Sequence, residues 1–348
     1  MRIGIRSSLI VIGLLALMAP SAAAARVPAG FLGVQSWEPL TATDSQMLAG
    51  TRAGTFRAVM FWSQIEPKPG LRNWSLFDNT VANASLGGAT VLPVLLSSPA
   101  HAAVDYHDPP VSPEGRAAFA AFAHDAVQRY GPSGSFWAAR PDLPFRPIRQ
   151  WQIWNEPNFP AYWFDRPNPR QYASLLRLAR GAIKSADGGA KIVLGGIPET
   201  RYPGAMRLTR FLKGLYKARA RKLFDAVAIH PYASNIKHLK RTIGSTRKIM
   251  ARYKDRRKRL YVTEIGWATA GEGKRAYRTS MNGQAKRLRQ AFSYLAKRRR
   301  KDRIGMVVWF ALRDRAPNAG ESNWWALNTG LLDMFGNPKP AWSVFARL

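Results

Sequence analysis

Two short runs in this 348-residue sequence place an acid where an acid is costly. Glu156 ends the run Trp151-Gln152-Ile153-Trp154-Asn155-Glu156-Pro157, and Glu264 sits in Leu260-Tyr261-Val262-Thr263-Glu264-Ile265-Gly266-Trp267. A carboxylate at the mouth of an otherwise apolar strand is unfavourable unless something pairs with it or uses it. Two such groups brought face to face can break a glycosidic bond. One, protonated, donates to the leaving oxygen; the other, ionised, attacks the anomeric carbon. A separation of about 5–5.5 Å gives retention and about 6.5–9.5 Å gives inversion, and the sequence alone leaves that gap open.

Other side chains fall where they could serve such a pair. Arg57 lies in a candidate strand, and a cation beside Glu264 would lower that carboxylate's pKa. His230 stands two residues before Tyr232, so both point to one face of a strand. Trp62, Trp267 and Trp309 lie at strand ends, with Trp324-Trp325 beyond. An indole can pack on the apolar face of a sugar ring, and plain core packing is the competing reading for each. His101 follows the third strand and could reach a substrate. Pro157 is expected to hold Glu156 extended, and Glu66 reads as a structural part of the loop after the second strand. His101, Asp105, His107 and Asp108 cluster in sequence. With no HExxH motif and five His in all, neither a metal nor a cofactor is expected.

These residues need elements to hold them. Strand-like runs are expected at Phe31–Ser36, Thr55–Trp62, Ala89–Ser97, Ile148–Trp154, Lys191–Ile197, Phe224–His230, Arg259–Ile265 and Ile304–Phe310. Near-continuous apolar runs such as Val91–Leu96 suit parallel strands covered on both faces. Helical patterns alternate with them. One opens at Ser112-Pro113-Glu114 and stops at Gly131-Pro132. Others span Pro169–Ser185 and Gln284–Lys297. Gly131–Pro147 reads as an ordered loop, and Leu331–Leu348 as a closing helix or cover. Eight alternating units at this length predict a single (β/α)8 barrel, whose chemistry lies at the C-terminal strand ends.

Residues 1–25 form a separate segment: a basic start, an apolar run at Leu9–Ala19 and small residues to a cleavage site near Ala24-Ala25. This is the layout of a secretory signal peptide, so residues 26–348 are expected to act outside the cell with no membrane span. There is no cysteine, which excludes disulfides and thiolate chemistry. Net charge is +32, and residues 201–303 hold 31 of the 53 Lys and Arg with five acids. Such a field attracts anions, and an anionic glycan or cell surface is the candidate partner. Runs such as Arg256–Arg259 and Lys297–Lys301 precede strands seven and eight, away from the expected site, so no specific nucleic acid is expected.

The ordered set Trp-Asn-Glu-Pro, His230-Pro231-Tyr232 and Thr-Glu-Ile-Gly-Trp resembles clan A glycoside hydrolases, in the manner of family 39 or family 5. Trp62-Ser63-Gln64-Ile65-Glu66-Pro67 and Lys339-Pro340-Ala341 extend the resemblance from about Phe31 to Phe345. It implies a retaining hydrolase acting on an oligo- or polysaccharide, with Glu156 as acid/base and Glu264 as nucleophile. It further implies that Asn155 bonds the sugar 2-hydroxyl, that Tyr232 bonds the nucleophile and that Arg57 lies near it. Trp309 would floor the subsite beside the cleaved bond. A transglycosylase using the same site, or a barrel that binds sugar without cleaving it, are the alternatives.

Overall fold

The computed structural model describes residues 27–163 and 166–348. The expected signal segment, 1–25, lies outside the described residues. Eight parallel strands form the centre: β1 (Leu32–Gln35), β2 (Thr55–Phe61), β3 (Thr90–Leu96), β4 (Gln150–Ile153), β5 (Lys191–Leu194), β6 (Ala226–His230), β7 (Arg259–Ile265) and β8 (Ile304–Phe310). Each pairs with the next, β8 pairs with β1, and Val193 opposite Ala226 joins β5 to β6. The sheet therefore closes on itself. A two-residue piece, Ile197–Pro198, continues the fifth strand past Gly195-Gly196 and pairs with Ile229 and His230.

Eight helices alternate with the strands: α1 (Ala42–Ala49), α2 (Ser75–Leu86), α3 (Pro113–Tyr130), α4 (Pro169–Ala186), α5 (Leu208–Lys217), α6 (Ile236–Arg252), α7 (Met281–Arg298) and α8 (Pro340–Ala346). The fold is a single (β/α)8 barrel. Helix starts follow the sequence signals. Ser112 caps α3 through Gly115 N at 3.0 Å with Pro113 in the first turn, and Asn168 does the same for α4 ahead of Pro169. Helix α7 begins three residues before the expected Gln284, because the Ser280 hydroxyl accepts from Gly283 N at 3.1 Å. The segment before β4 also holds a short helix, Ser135–Ala139.

The main core lies between sheet and helices, where Trp62, Trp151, Trp267 and Trp309 are fully buried. A second, smaller cluster plugs the barrel itself: Leu92, Val193, Ala226, Ala228, Tyr261, Met306 and Val308. Residues alternate in and out along each strand. The inward series of β2 is therefore Arg57, Val59 and Phe61, and that of β8 is Met306, Val308 and Phe310. On β6 the inward series passes from Ala226 and Ala228 to His230, and on β7 from Tyr261 to Thr263, so polar groups collect toward the C-terminal ends of these two strands.

Candidate active site

One irregularity in β7 decides where Glu264 points. Strict alternation from inward-facing Tyr261 makes Thr263 inward and Glu264 outward. Between Val262, opposite Val307, and Ile265, opposite Trp309, β7 uses one residue more than β8. A bulge of this kind re-aims side chains next to a site. Thr263 and Glu264 both reach the interior polar cluster: Thr263 Oγ1 lies 3.1 Å from His230 Nε2, and Glu264 meets Arg57.

Arg57 is the hub beneath the carboxylates and is 1% exposed. Its Nη1 donates to Glu264 Oε1 at 2.5 Å and also to Gln35 Oε1. Its Nε donates to Gln152 Oε1 at 2.8 Å, and its Nη2 to Asn155 Oδ1 at 2.8 Å. A guanidinium can be buried only when its donors are met, and here four acceptors from β1, β4 with the residues just past it, and β7 meet them. The bond to Oδ1 turns the Asn155 amide nitrogen outward as a donor, beside the Tyr162 hydroxyl. Tyr232 donates to the other oxygen of Glu264 at 2.7 Å.

Glu156 follows β4 in an unusual backbone. Trp154 has φ 63° and Glu156 has φ 43°, so the expectation that Pro157 keeps Glu156 extended is corrected. The proline disfavours the right-handed helical region at the residue before it, and the chain here takes the left-handed one instead. That conformation costs about 1–3 kcal/mol in a non-glycine residue. It is held by Glu156 O accepting from Phe159 N at 2.8 Å and by Trp154 Nε1 donating to Tyr162 O at 2.7 Å.

His230 stands between the two acids. Its Nδ1 lies 2.7 Å from Glu156 Oε1 and 3.4 Å from Glu264 Oε2. The ring fits because residue 196 is glycine: a Cβ there would lie 1.8 Å from His230 Nε2. Burial, with Glu264 adding repulsion and Arg57 opposing, holds the Glu156 carboxyl well above the usual range. Burial and then Arg57 push His230 well below its ordinary value, so the ring is neutral. With its proton on Nε2, facing Thr263, a neutral ring accepts from a protonated Glu156. Burial and the Glu264 charge likewise raise Tyr232, which keeps its proton to donate.

One oxygen of Glu156, one of Glu264 and a ring nitrogen of His230 lie within 4.8 Å of one another. They are the one such trio of His, Asp and Glu among the described residues; His101, Asp105, His107 and Asp108 do not form one. Donors from Arg57 and Tyr232 already occupy both oxygens of Glu264, which makes the group a poor cation cradle. The trio opens into a cleft of about 870 Å³ at the C-terminal ends of the strands. Its lining includes a group of neighbouring rings at Trp37, Phe310, Trp325 and Tyr277 and others at Tyr106, His107, Phe159, Tyr162 and Tyr202.

Of the residues expected around the pair, Arg57, Asn155, His230 and Tyr232 line this cleft, and His101, Trp62, Trp267 and Trp309 do not. Trp309 points outward from β8, Trp62 opens a short helix (Trp62–Ile65) after β2 and Trp267 lies just past β7, and all three bury their rings against helices and loops. Trp62 stacks on Phe122 of α3, and Trp267 and Trp309 pack on each other. Each indole N–H is met inside the protein: Trp62 by Glu66 Oε2, Trp267 by Ala233 O and Trp309 by Thr329 O. These positions are corrected to core. His101 lies 3.6 Å from Glu66 and edge-on to Trp62, behind the cleft wall. Glu66 itself is 2% exposed and ties the loop together through Trp62, Gly70 and Arg72. The strand-eight aromatic at the cleft is Phe310, one residue after Trp309. Its inward parity follows from Met306 and Val308. Trp37 and Gln35 had no signal beyond their place at the end of β1.

A family model described as the glycosyl hydrolase catalytic core matches residues 147–339, which include both carboxylates. Among curated proteins no relative matches the sequence. Among solved structures the fold is similar to a family 39 glycoside hydrolase from the gut symbiont Bacteroides cellulosilyticus WH2. That match has TM-score 0.68 and 20% identity, covering 90% of this chain and 63% of that one. A monomeric beta-xylosidase from Caulobacter crescentus CB15 matches at TM-score 0.64 and 17% identity, over 91% of this chain and 67% of the other. The GH5_18 protein from Streptomyces cattleya in complex with GlcNAc matches at 0.60 and 13%, over 92% and 79%. The chain thus spans less than two thirds of the length of the first of these.

Proposed function

Since this chain belongs to the glycosyl hydrolase catalytic core family, we propose that it hydrolyses β-linked glycosidic bonds with retention, using Glu156 as acid/base and Glu264 as nucleophile. The observation that carries this reading is the convergence of the two carboxyl groups, with oxygens within 4.8 Å across one cleft. That approach suits the shorter separation, where a carboxylate itself attacks, and is tight for an inverting water.

In the first step a Glu264 oxygen forms a bond to the anomeric carbon. The bond from that carbon to the leaving oxygen breaks, and the Glu156 proton moves to the departing oxygen. In the second step Glu156, now ionised, takes a proton from water as the water oxygen displaces Glu264. Arg57 and Tyr232 hold Glu264 in line while His230 steadies Glu156, so little reorganisation is needed as charge moves. Asn155 is the donor offered to the sugar hydroxyl beside the reacting carbon.

The glycone lies on the Glu264 side, against Phe310, Trp325 and Trp37. The leaving group lies beyond Glu156, against Phe159 and Tyr202, whose rings are 5.0 Å apart. Aromatic surface on both sides of the acids suits a substrate with sugar rings on both sides of the bond. Relatives of this fold include a xylosidase and an exo-beta-1,4-mannosidase, so the sugar itself is not carried over. Residues 1–25 support secretion. A panel of aryl β-glycosides and β-linked polysaccharides tests the activity. Glu264→Ala should abolish turnover and Glu156→Ala should lower turnover of unactivated substrates about 10²–10⁴-fold, and full activity in either removes the assignment.

A further inference from the structure

Charge on the outer wall of the barrel is divided between its two halves. Helices α4, α5, α6 and α7 hold 18 Lys and Arg and no Asp or Glu. Helices α1, α2 and α3 hold Asp44, Asp78, Glu114 and Asp125 against Arg116 and Arg129. A general bias toward arginine would load both halves alike. Successive helices of the basic half pack on one another, so their cations share one continuous face.

Three of the acids nearest this face are already engaged by side chains, and Asp187 at the end of α4 accepts from Gly189 N. Asp225 accepts from Ile192 N and Arg180, Asp255 from Tyr216 and Lys258, and Asp302 from Arg298. On α6 the exposed Lys237, Arg241, Lys248 and Arg252 fall four, seven and four residues apart, which places them in one stripe. None of the four has an acidic partner among the described residues. Gly244 lies within the stripe, with open space around it. Arg256, Arg257, Arg300, Lys301 and Arg303 extend the field at the barrel's N-terminal end, opposite the cleft. Unrelieved like charge destabilises helices and compact folds, so a binding role must offset it.

We propose that the α4–α7 face docks an acidic polysaccharide, separately from the cleft. Of the exposed large apolar side chains only Met281 belongs to these helices. The partly exposed ring of the face, Tyr294, is covered by Lys240, so the face presents no row of open rings for unstacked bases and no apolar wedge for a bilayer. It is also convex, being the outer wall of a barrel. A stiff duplex touches such a wall along a line, whereas a flexible polycarboxylate can wrap several helices. Cations one helical turn apart, about 6 Å, suit closely spaced carboxylates. Docking would keep the enzyme in a glycan matrix and leave the cleft open.

The full chain is titrated with soluble polygalacturonate, with a 20-base-pair DNA duplex and with phosphatidylserine vesicles, at low and at high salt. Polygalacturonate should bind tightest, and its affinity should fall at least about tenfold with added salt. The variant Lys237→Gln, Arg241→Gln, Lys248→Gln, Arg252→Gln should bind it at least about tenfold more weakly, with melting no lower than wild type and unchanged turnover of small aryl glycosides. Salt-insensitive binding, an unaffected variant, or duplex or vesicle binding as tight as the polysaccharide would each overturn the proposal. The readout is binding, so its failure leaves the reading of the cleft untouched.

Discussion

The imidazole Nδ1 of His230 lies 2.7 Å from Oε1 of Glu156, 74 residues away in the chain. The two groups are perturbed in opposite senses, and each sense has a consequence. His230 is pushed below 6.5, so its contribution to stability is present above that pH and is lost as pH falls through the depressed value. Melting temperatures across the acid range should therefore show His230→Asn less stable than wild type near neutrality, with the gap narrowing as pH drops. A gap independent of pH would mean that the ring is not held neutral.

Glu156 is pushed above 4.5, so its folded form is favoured while it is protonated, and that advantage disappears as pH rises through the raised value. The same ionisation removes the proton donor. The kcat/KM profile should have an alkaline limb that vanishes in Glu156→Ala with an activated aryl leaving group, which needs no protonation. With an unactivated leaving group the variant should lose about 10²–10⁴-fold. An unchanged alkaline limb in the variant would assign it to another residue.

Tyr232 and Arg57 hold opposite oxygens of Glu264 and should fail differently when removed. Tyr232→Phe deletes one hydrogen bond to a carboxylate and should lower kcat about 10- to 100-fold with little change in melting. Arg57→Ala strips a buried pair and leaves Gln35, Gln152 and Asn155 without their donor. It should cost about 3–5 kcal/mol of stability, read from denaturant unfolding. Equal losses of activity and stability in the two variants would show that neither has the specific role argued here.

Gly196→Ala tests how the fold positions the site, because the added methyl would collide with the His230 ring. The ring must shift away from Glu156, and kcat/KM should fall on unactivated leaving groups with little change on activated ones. Gly244→Ala, on open helix surface, is the control and should change neither activity nor pH profile.

Much of this arrangement was legible in the sequence. Strands seven and eight begin and end where their apolar runs do, and the helix cap at Ser112 is local chemistry. Arg57, Asn155, His230 and Tyr232 were found because each lies in or next to a strand and bears an uncommon polar group for such a place. The three tryptophans were misplaced because nearness to a strand end does not fix the face. Starting from inward Arg57, alternation makes Phe61 inward and Trp62 outward, and the same parity puts Phe310 in the cleft and Trp309 behind it. The β7 bulge was not legible, since an extra residue leaves no mark in apolar pattern. Strict alternation would even have turned Glu264 away. The left-handed backbone at Glu156 was hidden for a related reason: only contacts from Phe159 and Tyr162, fixed after folding, hold it.

The anomeric configuration of the first-formed product bears most directly on the paired action of Glu156 and Glu264. It is read by proton NMR within the first minutes of hydrolysis of an aryl β-glycoside that the enzyme accepts. Attack by Glu264 followed by water predicts the β-anomer first, with the α-anomer appearing only as mutarotation proceeds. The α-anomer as first product would mean that water, not Glu264, displaces the leaving group, and would contradict the account.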